Sequence, residues 1–304
     1  MPLRRTLLYL SRHPALRGWT ETSPLARSLS SRFVAGSTLE EAIAVCIRLR
    51  AEGITTTLDY LGEHVKSPGE AQACRDMYLR MLHAMRAAAV EPNVSVKLSQ
   101  FGIDISASEC VANVELLVGK AAEVGGFVRI DMESSAYTER TLEIAARLHE
   151  RYAACGVVIQ SYLYRSGADV AKATAQGMRI RLCKGAYLES SSVAYETKAQ
   201  VDHSYATLAG YLLSADRYPA IATHDERIIQ TVRRFADRHG IGRDRFEFQM
   251  LYGIRRDLQK QLVDAGYRLR LYVPFGEAWY PYFMRRLAER PANLLFLARN
   301  LLKR

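Results

Sequence analysis

Phe127-Val128-Arg129-Ile130-Asp131-Met132, then the run Thr138–Ala154, then Val157-Val158-Ile159-Gln160-Ser161-Tyr162, set the reading of the chain. The flanking hexapeptides are short and rich in β-branched residues. The run between them carries its apolar positions at helical spacing. A strand, a helix and a strand in close succession form the unit of a parallel sheet, because parallel neighbours need a crossover and a helix supplies it. The same alternation extends in both directions. Further strand candidates are Thr55–Leu61, Val94–Ser99, Ile180–Lys184, Ala220–His224, Phe246–Leu251 and Leu269–Val273, with helical patterns at Pro68–Ala89, Ala107–Val124 and Asp225–His239. Eight strands over about 250 residues is the size of an α/β protein with a (β/α)8 TIM-like barrel. A doubly wound sheet is the rival. It is weakened by the absence of GxGxxG, since the one close pair, Gly125-Gly126, precedes a strand.

Residues 1–50 read as an N-terminal helical segment and 51–304 as the catalytic barrel. Ser37-Thr38-Leu39-Glu40-Glu41 is a capping signal that opens a helix through Leu49. At the other end, Tyr280–Pro291 reads as a last helix over the active site. Pro281 suits its first turn and Pro291 marks its stop. Tyr282, Arg285, Arg286 and Glu289 then fall at i, i+3, i+4 and i+7, on one face. Two adjacent guanidinium groups there can fork onto a carboxylate. A solvated Arg/Glu surface helix is the bland alternative.

Composition sets bounds. The 304 residues are 49% apolar and 24% charged, as in a globular protein with a full core. Five cysteines, odd in number and without CxxC spacing, argue against a disulfide framework or a zinc site and fit a reducing, cytoplasmic setting. The Met1–Leu10 run is too short for a signal peptide, and no stretch spans a membrane. The net charge of +10 is spread without a dense run or a nucleic-acid motif, so nucleic acid is not expected as a partner.

In such barrels the chemistry sits at the C-terminal strand ends. Polar residues converge there: Asp59 and Glu63, Lys97, Asp131, Gln160, Arg181 with Lys184, Thr223-His224-Asp225, Gln249 and Tyr272. Unpaired polar groups in a barrel core are costly, so packing alone does not account for them. Lys97 or Lys184 could instead form a Schiff base, which would make the protein a lyase or aldolase. His224 has no second ligand at metal spacing, so no metal site is expected.

Phe33-Val34-Ala35-Gly36, Val96-Lys97-Leu98-Ser99, Arg181-Leu182-Cys183-Lys184-Gly185-Ala186-Tyr187, Ala222-Thr223-His224, Phe246-Glu247-Phe248-Gln249 and Tyr282–Glu289 occur in order along the chain. As an ordered set they resemble proline dehydrogenase, the FAD-dependent family that oxidises L-proline to Δ1-pyrroline-5-carboxylate. The resemblance implies a set of roles. Lys97, Arg285 and Arg286 would bind the substrate carboxylate. Asp131 and Glu289 would balance that charge, and Tyr272, Tyr282 and Leu251 would line the proline ring. A phenol at 272 would crowd the added hydroxyl of hydroxyproline. Glu63 would be a gate pairing with Arg285; a carboxylate at a helix N-terminus is the equal alternative. FAD would lie against the strand ends. Gln160 would meet the isoalloxazine edge and Arg181 would sit near flavin N5. Met132, Cys183, Lys184, Gly185 and Ala186 would follow the cofactor, with Thr223 and His224 on its pyrophosphate or adenosine side. Asp131 is the one candidate base, by position only. Cys183 stands where the family pattern suggests valine, a near match in size. The resemblance also implies a quinone acceptor, peripheral contact with the inner membrane, and a separate pyrroline-5-carboxylate (glutamate semialdehyde) dehydrogenase as pathway partner.

Overall fold

The computed structural model describes residues 32–215, 217–280 and 282. Eight parallel strands close into a barrel in sequence order. They are β1 (Thr55–Tyr60), β2 (Asn93–Val96), β3 (Phe127–Ile130), β4 (Cys155–Gln160), β5 (Arg179–Cys183), β6 (Ala220–Ala222), β7 (Glu247–Leu251) and β8 (Leu269–Phe275). Closure comes from β8 against β1, in register from Thr55 opposite Arg270 to Tyr60 opposite Phe275. A closed sheet leaves no edge for another chain to extend.

Helix α1 (Leu39–Ala51) precedes β1, and α2 (Pro68–Ala87), α3 (Ala107–Glu123), α4 (Thr138–Tyr152), α5 (Ser166–Ala175), α6 (Lys198–Ser214), α7 (Glu226–Arg238) and α8 (Arg256–Asp264) connect the strands. Their starts are chemically marked. The Thr38 side chain accepts from the Glu41 N–H while Glu41 reaches back to the cap, forming a capping box. Ser67, Ser106, Thr197 and Asp225 cap α2, α3, α6 and α7 with their side chains. Each such cap contributes about 1 kcal/mol.

Strand periodicity divides the barrel into two regions. Leu58, Val94, Val96, Val128, Ile130, Val157, Ile159, Ile180, Leu182, Phe248, Met250, Leu271 and Val273 belong to one buried cluster with apolar helix residues such as Leu82, Leu117 and Leu148. That annulus between sheet and helices is the apolar core. The alternate positions carry Thr57 and Asp59, Ser95 and Lys97, Arg129 and Asp131, Arg179 and Arg181, Glu247 and Gln249, and Arg270 and Tyr272. Successive side chains of a strand point to opposite faces, so these pairs line the lumen. The convergence on the strand ends read from the sequence therefore extends down the barrel. Part of this lining is tightly paired: Arg270 meets Glu247 at 3.0 Å and Glu91 at 3.0 Å, and donates to the Thr56 carbonyl at 2.8 Å.

Strand limits differ from the sequence reading by a few residues. Strand β2 stops at Val96 because Lys97 opens a 3-10 turn over Leu98–Phe101, and β3 stops before Asp131. The Phe33–Gly36 segment docks on the far end of β8: Ala35 N–H donates to the Pro274 carbonyl at 2.8 Å, and Gly276 N–H donates to Gly36 at 3.0 Å. The five cysteines are free.

Candidate active site

Arg181 is the centre of the C-terminal face. It is 6% exposed. Its Nη1 donates to Asp131 Oδ1 at 2.7 Å, its Nη2 to Ser95 Oγ at 3.0 Å, and its Nε to Gln249 Oε1. A guanidinium has five N–H groups. Among the described residues these bonds leave one on each terminal nitrogen for a ligand. The second Asp131 oxygen accepts from the Tyr272 hydroxyl at 2.9 Å, and the Tyr272 ring centre lies 5.4 Å from the Arg181 guanidinium carbon. Burial, then Asp131 and Asp59, push the Tyr272 phenol well above its usual range, so it stays a proton donor. Asp131 is therefore held between a cation and a phenol.

Lys97 Nζ lies 3.1 Å from Asp59 Oδ1, and Asp59 is fully buried. Desolvation works against the lysine charge, but Asp59 and then Asp131 outweigh it, and the Lys97 pKa rises. Burial pushes Asp59 up against the pull of Lys97. A lysine stabilised as a cation is the opposite of what Schiff-base chemistry needs. Lys184, the other candidate for that chemistry, bonds Asp202 and also Asp225 at 2.8 Å.

Among the proposed cofactor residues, Gln160 donates from Nε2 to the Glu133 carbonyl at 2.8 Å and accepts the Ala186 N–H at 3.3 Å. One N–H and one lone pair of its amide remain. Gly185 has φ +121°, and a Cβ there would come within 2.3 Å of the Tyr162 ring, so both backbone shape and space require glycine. His224 Nε2 accepts the Leu251 N–H at 2.9 Å, which puts the proton of its neutral ring on Nδ1. Thr223 Oγ1 accepts the Asp225 N–H at 3.1 Å. Met132 is buried, and Cys183, Lys184 and Ala186 are half-buried on the same face. These groups fit a flavin nucleotide: Arg181 and Gln160 retain hydrogen-bonding capacity, and the Lys184–Ala186 backbone is free of regular structure beside them.

Leu251 and Tyr272 stand at adjacent positions of β7 and β8, and Tyr282 is buried. Arg285, Arg286 and Glu289 lie outside the described residues. Glu63 is half-buried between β1 and α2, and it contributes to the field at Lys97. The helix-terminus alternative for Glu63 does not hold, because α2 begins at Pro68 and its first-turn acid is Glu70.

A sequence model of the family described as Proline dehydrogenase matches residues 42–299. The chain belongs to the proline dehydrogenase family. A proline dehydrogenase of Deinococcus radiodurans is 46% identical over 281 residues, covering 91% of this chain and 91% of its own length. Proline dehydrogenase 1 of Bacillus subtilis is 38% identical over 302 residues, 99% of this chain and 100% of the relative. Among solved structures, proline utilization A (PutA) from Bdellovibrio bacteriovorus, inactivated by N-propargylglycine, matches with a TM-score of 0.81 and 29% identity. That match covers 86% of this chain and 32% of the longer PutA chain.

Within this candidate site, several partners were not read from the sequence as such. Asp59 pairs with Lys97, and Ser95 and Gln249 hold Arg181. Glu133 is 2% exposed and accepts the Ser99 N–H at 3.0 Å and the Ser99 hydroxyl at 2.5 Å. Burial raises the Glu133 pKa, with the Ser99 bonds opposing. The available signal was polarity repeating at i, i+2 on each strand, which marks the lumen without saying which rungs pair.

The Lys184–Asp202–Asp225–Lys198 cluster gives a pH prediction. Desolvation raises the Asp225 pKa, but Lys184 and Lys198 overcome it and hold it at about 2. A depressed carboxylate pKa stabilises fully above its unfolded value, near 4, and loses that contribution as pH falls through the folded value. Asp225→Asn keeps the cap and removes the charge. Its melting temperature is expected to fall below wild type at pH 6–7 and to converge with it near pH 2. A constant gap across that range would contradict the assignment.

Proposed function

We propose that this chain oxidises L-proline to Δ1-pyrroline-5-carboxylate, the first step of proline catabolism, with FAD as its cofactor. The observation that carries this reading is the cluster of Lys97, Asp131, Arg181 and Tyr272 at the C-terminal strand ends of a proline dehydrogenase barrel. FAD, when bound, supplies the two-electron acceptor for hydride transfer. Lys97, together with Arg285 and Arg286, binds the substrate carboxylate, and this positioning is most of what hydride transfer requires of a protein. Tyr272, Tyr282 and Leu251 line the proline ring, Glu289 braces the arginines, and Glu63 closes the mouth. Arg181 stabilises negative charge that develops on the cofactor. Gln160, Met132, Cys183, Lys184, Gly185, Ala186, Thr223 and His224 hold the cofactor. Asp131 orients Arg181 and Tyr272; both of its oxygens are already engaged, so its part in the reaction is positional.

The proposal extends to a quinone as electron acceptor, at an anionic membrane surface that the net charge of +10 would favour. Among the described residues no helix is long and apolar enough to cross a membrane. A cytoplasmic enzyme touching the inner membrane peripherally is the corresponding setting. A separate pyrroline-5-carboxylate dehydrogenase would consume the product.

The test is a visible spectrum of the purified protein before and after anaerobic L-proline. A flavin spectrum that bleaches supports cofactor and substrate together. A flavin that ignores L-proline overturns the substrate, and a protein that takes up no FAD overturns the reading. The Tyr272→Ser variant addresses specificity. Removing the phenol is expected to raise the hydroxyproline-to-proline ratio of kcat/KM by about tenfold, the scale of one misfitted group in a pocket. An unchanged ratio would remove Tyr272 from discrimination.

A further inference from the structure

The Phe246–Gln249 motif is conspicuous in the sequence, yet the resemblance assigns it no part in binding or catalysis. Its two lumen-facing residues are Glu247, 2% exposed, and Gln249, 4% exposed. Gln249 accepts from Arg181 Nε through Oε1 and donates to Glu247 Oε1 through Nε2. Glu247 is held from below by Arg270, whose Nε lies 3.0 and 3.2 Å from its two oxygens, and Arg270 continues to Glu91. A chain of hydrogen bonds thus runs from the base of the barrel, through Arg270, Glu247 and Gln249, to Arg181 and Asp131.

We propose that Gln249 is a positioning residue for Arg181, and that Glu247 fixes which end of the Gln249 amide faces the guanidinium. This rests on the reading of Arg181 as the cation beside the flavin.

The argument is one of polarity and charge. An amide can face Arg181 with either its oxygen or its NH2. Turned the wrong way, Gln249 would set N–H against N–H at Arg181 and oxygen against the Glu247 carboxylate. Both contacts are repulsive in a site where water cannot relieve them. The Glu247 carboxylate, kept ionised by Arg270, therefore admits one orientation. The neutrality of Gln249 matters as well. Asp131 already offsets the Arg181 charge from one side. A second carboxylate behind Nε would cancel it further, whereas an amide oxygen holds the geometry and leaves the positive charge for a ligand above the strand ends. Orientation in three directions, from Gln249, Ser95 and Asp131, fixes the guanidinium plane before any ligand arrives, and such preorganisation is what electrostatic stabilisation requires.

The test uses the FAD-loaded enzyme and compares wild type with Gln249→Met, which keeps the volume and removes the amide. The expected result is unchanged FAD stoichiometry, a KM for L-proline within about threefold of wild type, and kcat lower by about tenfold or more. Reductive titration without proline should give a flavin potential more negative by about 30 mV for each tenfold loss of stabilisation of a two-electron couple. A residue that merely packs would not move the potential. Glu247→Gln, nearly isosteric, frees the amide to turn and should shift kcat and potential in the same direction by a smaller amount. Wild-type kcat and potential in Gln249→Met overturn the proposal. If that variant does not fold, unchanged values in Glu247→Gln overturn it. Because the titration needs no proline, a wild-type enzyme that L-proline fails to bleach would sink the substrate reading while the potentials still decide the role of Gln249.

Discussion

Lys97→Met is expected to cost about 3–5 kcal/mol of stability, because it leaves the fully buried Asp59 without its cation. The same change should raise the KM for L-proline by roughly tenfold to a hundredfold, since a hydrogen bond to a charged group contributes about 1.5–3 kcal/mol. The two effects are separable. In Lys97→Met combined with Asp59→Leu no buried charge is orphaned. Replacing a buried ion pair by apolar side chains of similar volume is often close to neutral. Urea unfolding should therefore show most of the lost stability recovered in the double variant, while its KM stays as poor as that of the single one. Recovery of both would mean that Lys97 acts on the fold alone. Full stability in the single variant would mean that Asp59 takes up a proton and needs no partner, a course its burial favours.

That ambiguity could not be seen in the sequence, which shows how far each kind of information reaches. The barrel was legible because its signal is redundant: eight short β-branched runs alternate with helical patterns, and only a few topologies accept that order. The helix start was legible where a cap was written into the sequence, as at Thr38 with Glu41. Strand ends were not, because Lys97 and Asp131 look like continuations of β2 and β3 until the chain turns away. The candidate residues just after β2 and β3 and on β5 and β8 do meet at one end of the lumen. Their partnerships were hidden because they are set by the stagger of the closed sheet. Arg181 on β5 reaches Gln249 on β7, Asp131 beside β3 and Ser95 on β2 in one set of contacts. No spacing along the chain encodes such contacts, only the alternation that sends these residues inward. A carboxylate three residues beyond a strand, as Glu133 is beyond β3, carries no alternation that marks it as buried. Its burial under Ser99 depends on how the turn after β2 lies.

Asp131→Asn is expected to lower kcat/KM for L-proline by about a hundredfold. One carboxylate accepts from Arg181 at 2.7 Å and from Tyr272 at 2.9 Å, so the substitution weakens two contacts at once. An amide oxygen can satisfy one of them, but its NH2 then faces a donor at the other. Hydrogen bonds to charged groups contribute about 1.5–3 kcal/mol each, and about 3 kcal/mol in total corresponds to roughly two powers of ten in rate. The protein should remain folded, because Arg181 keeps Ser95 and Gln249 as acceptors. The pH profile then separates positioning from proton transfer. If Asp131 only holds Arg181 and Tyr272, the ionisation that controls kcat/KM belongs to other groups, and the limb stays in place in Asp131→Asn as the whole profile drops. If Asp131 takes the proton of the ring nitrogen, the limb disappears and activity becomes flat with pH. Both Asp131 oxygens accept hydrogen bonds before substrate arrives, one from Arg181 and one from Tyr272, and neither is left aimed at the ring nitrogen alone. The retained limb is the expected outcome.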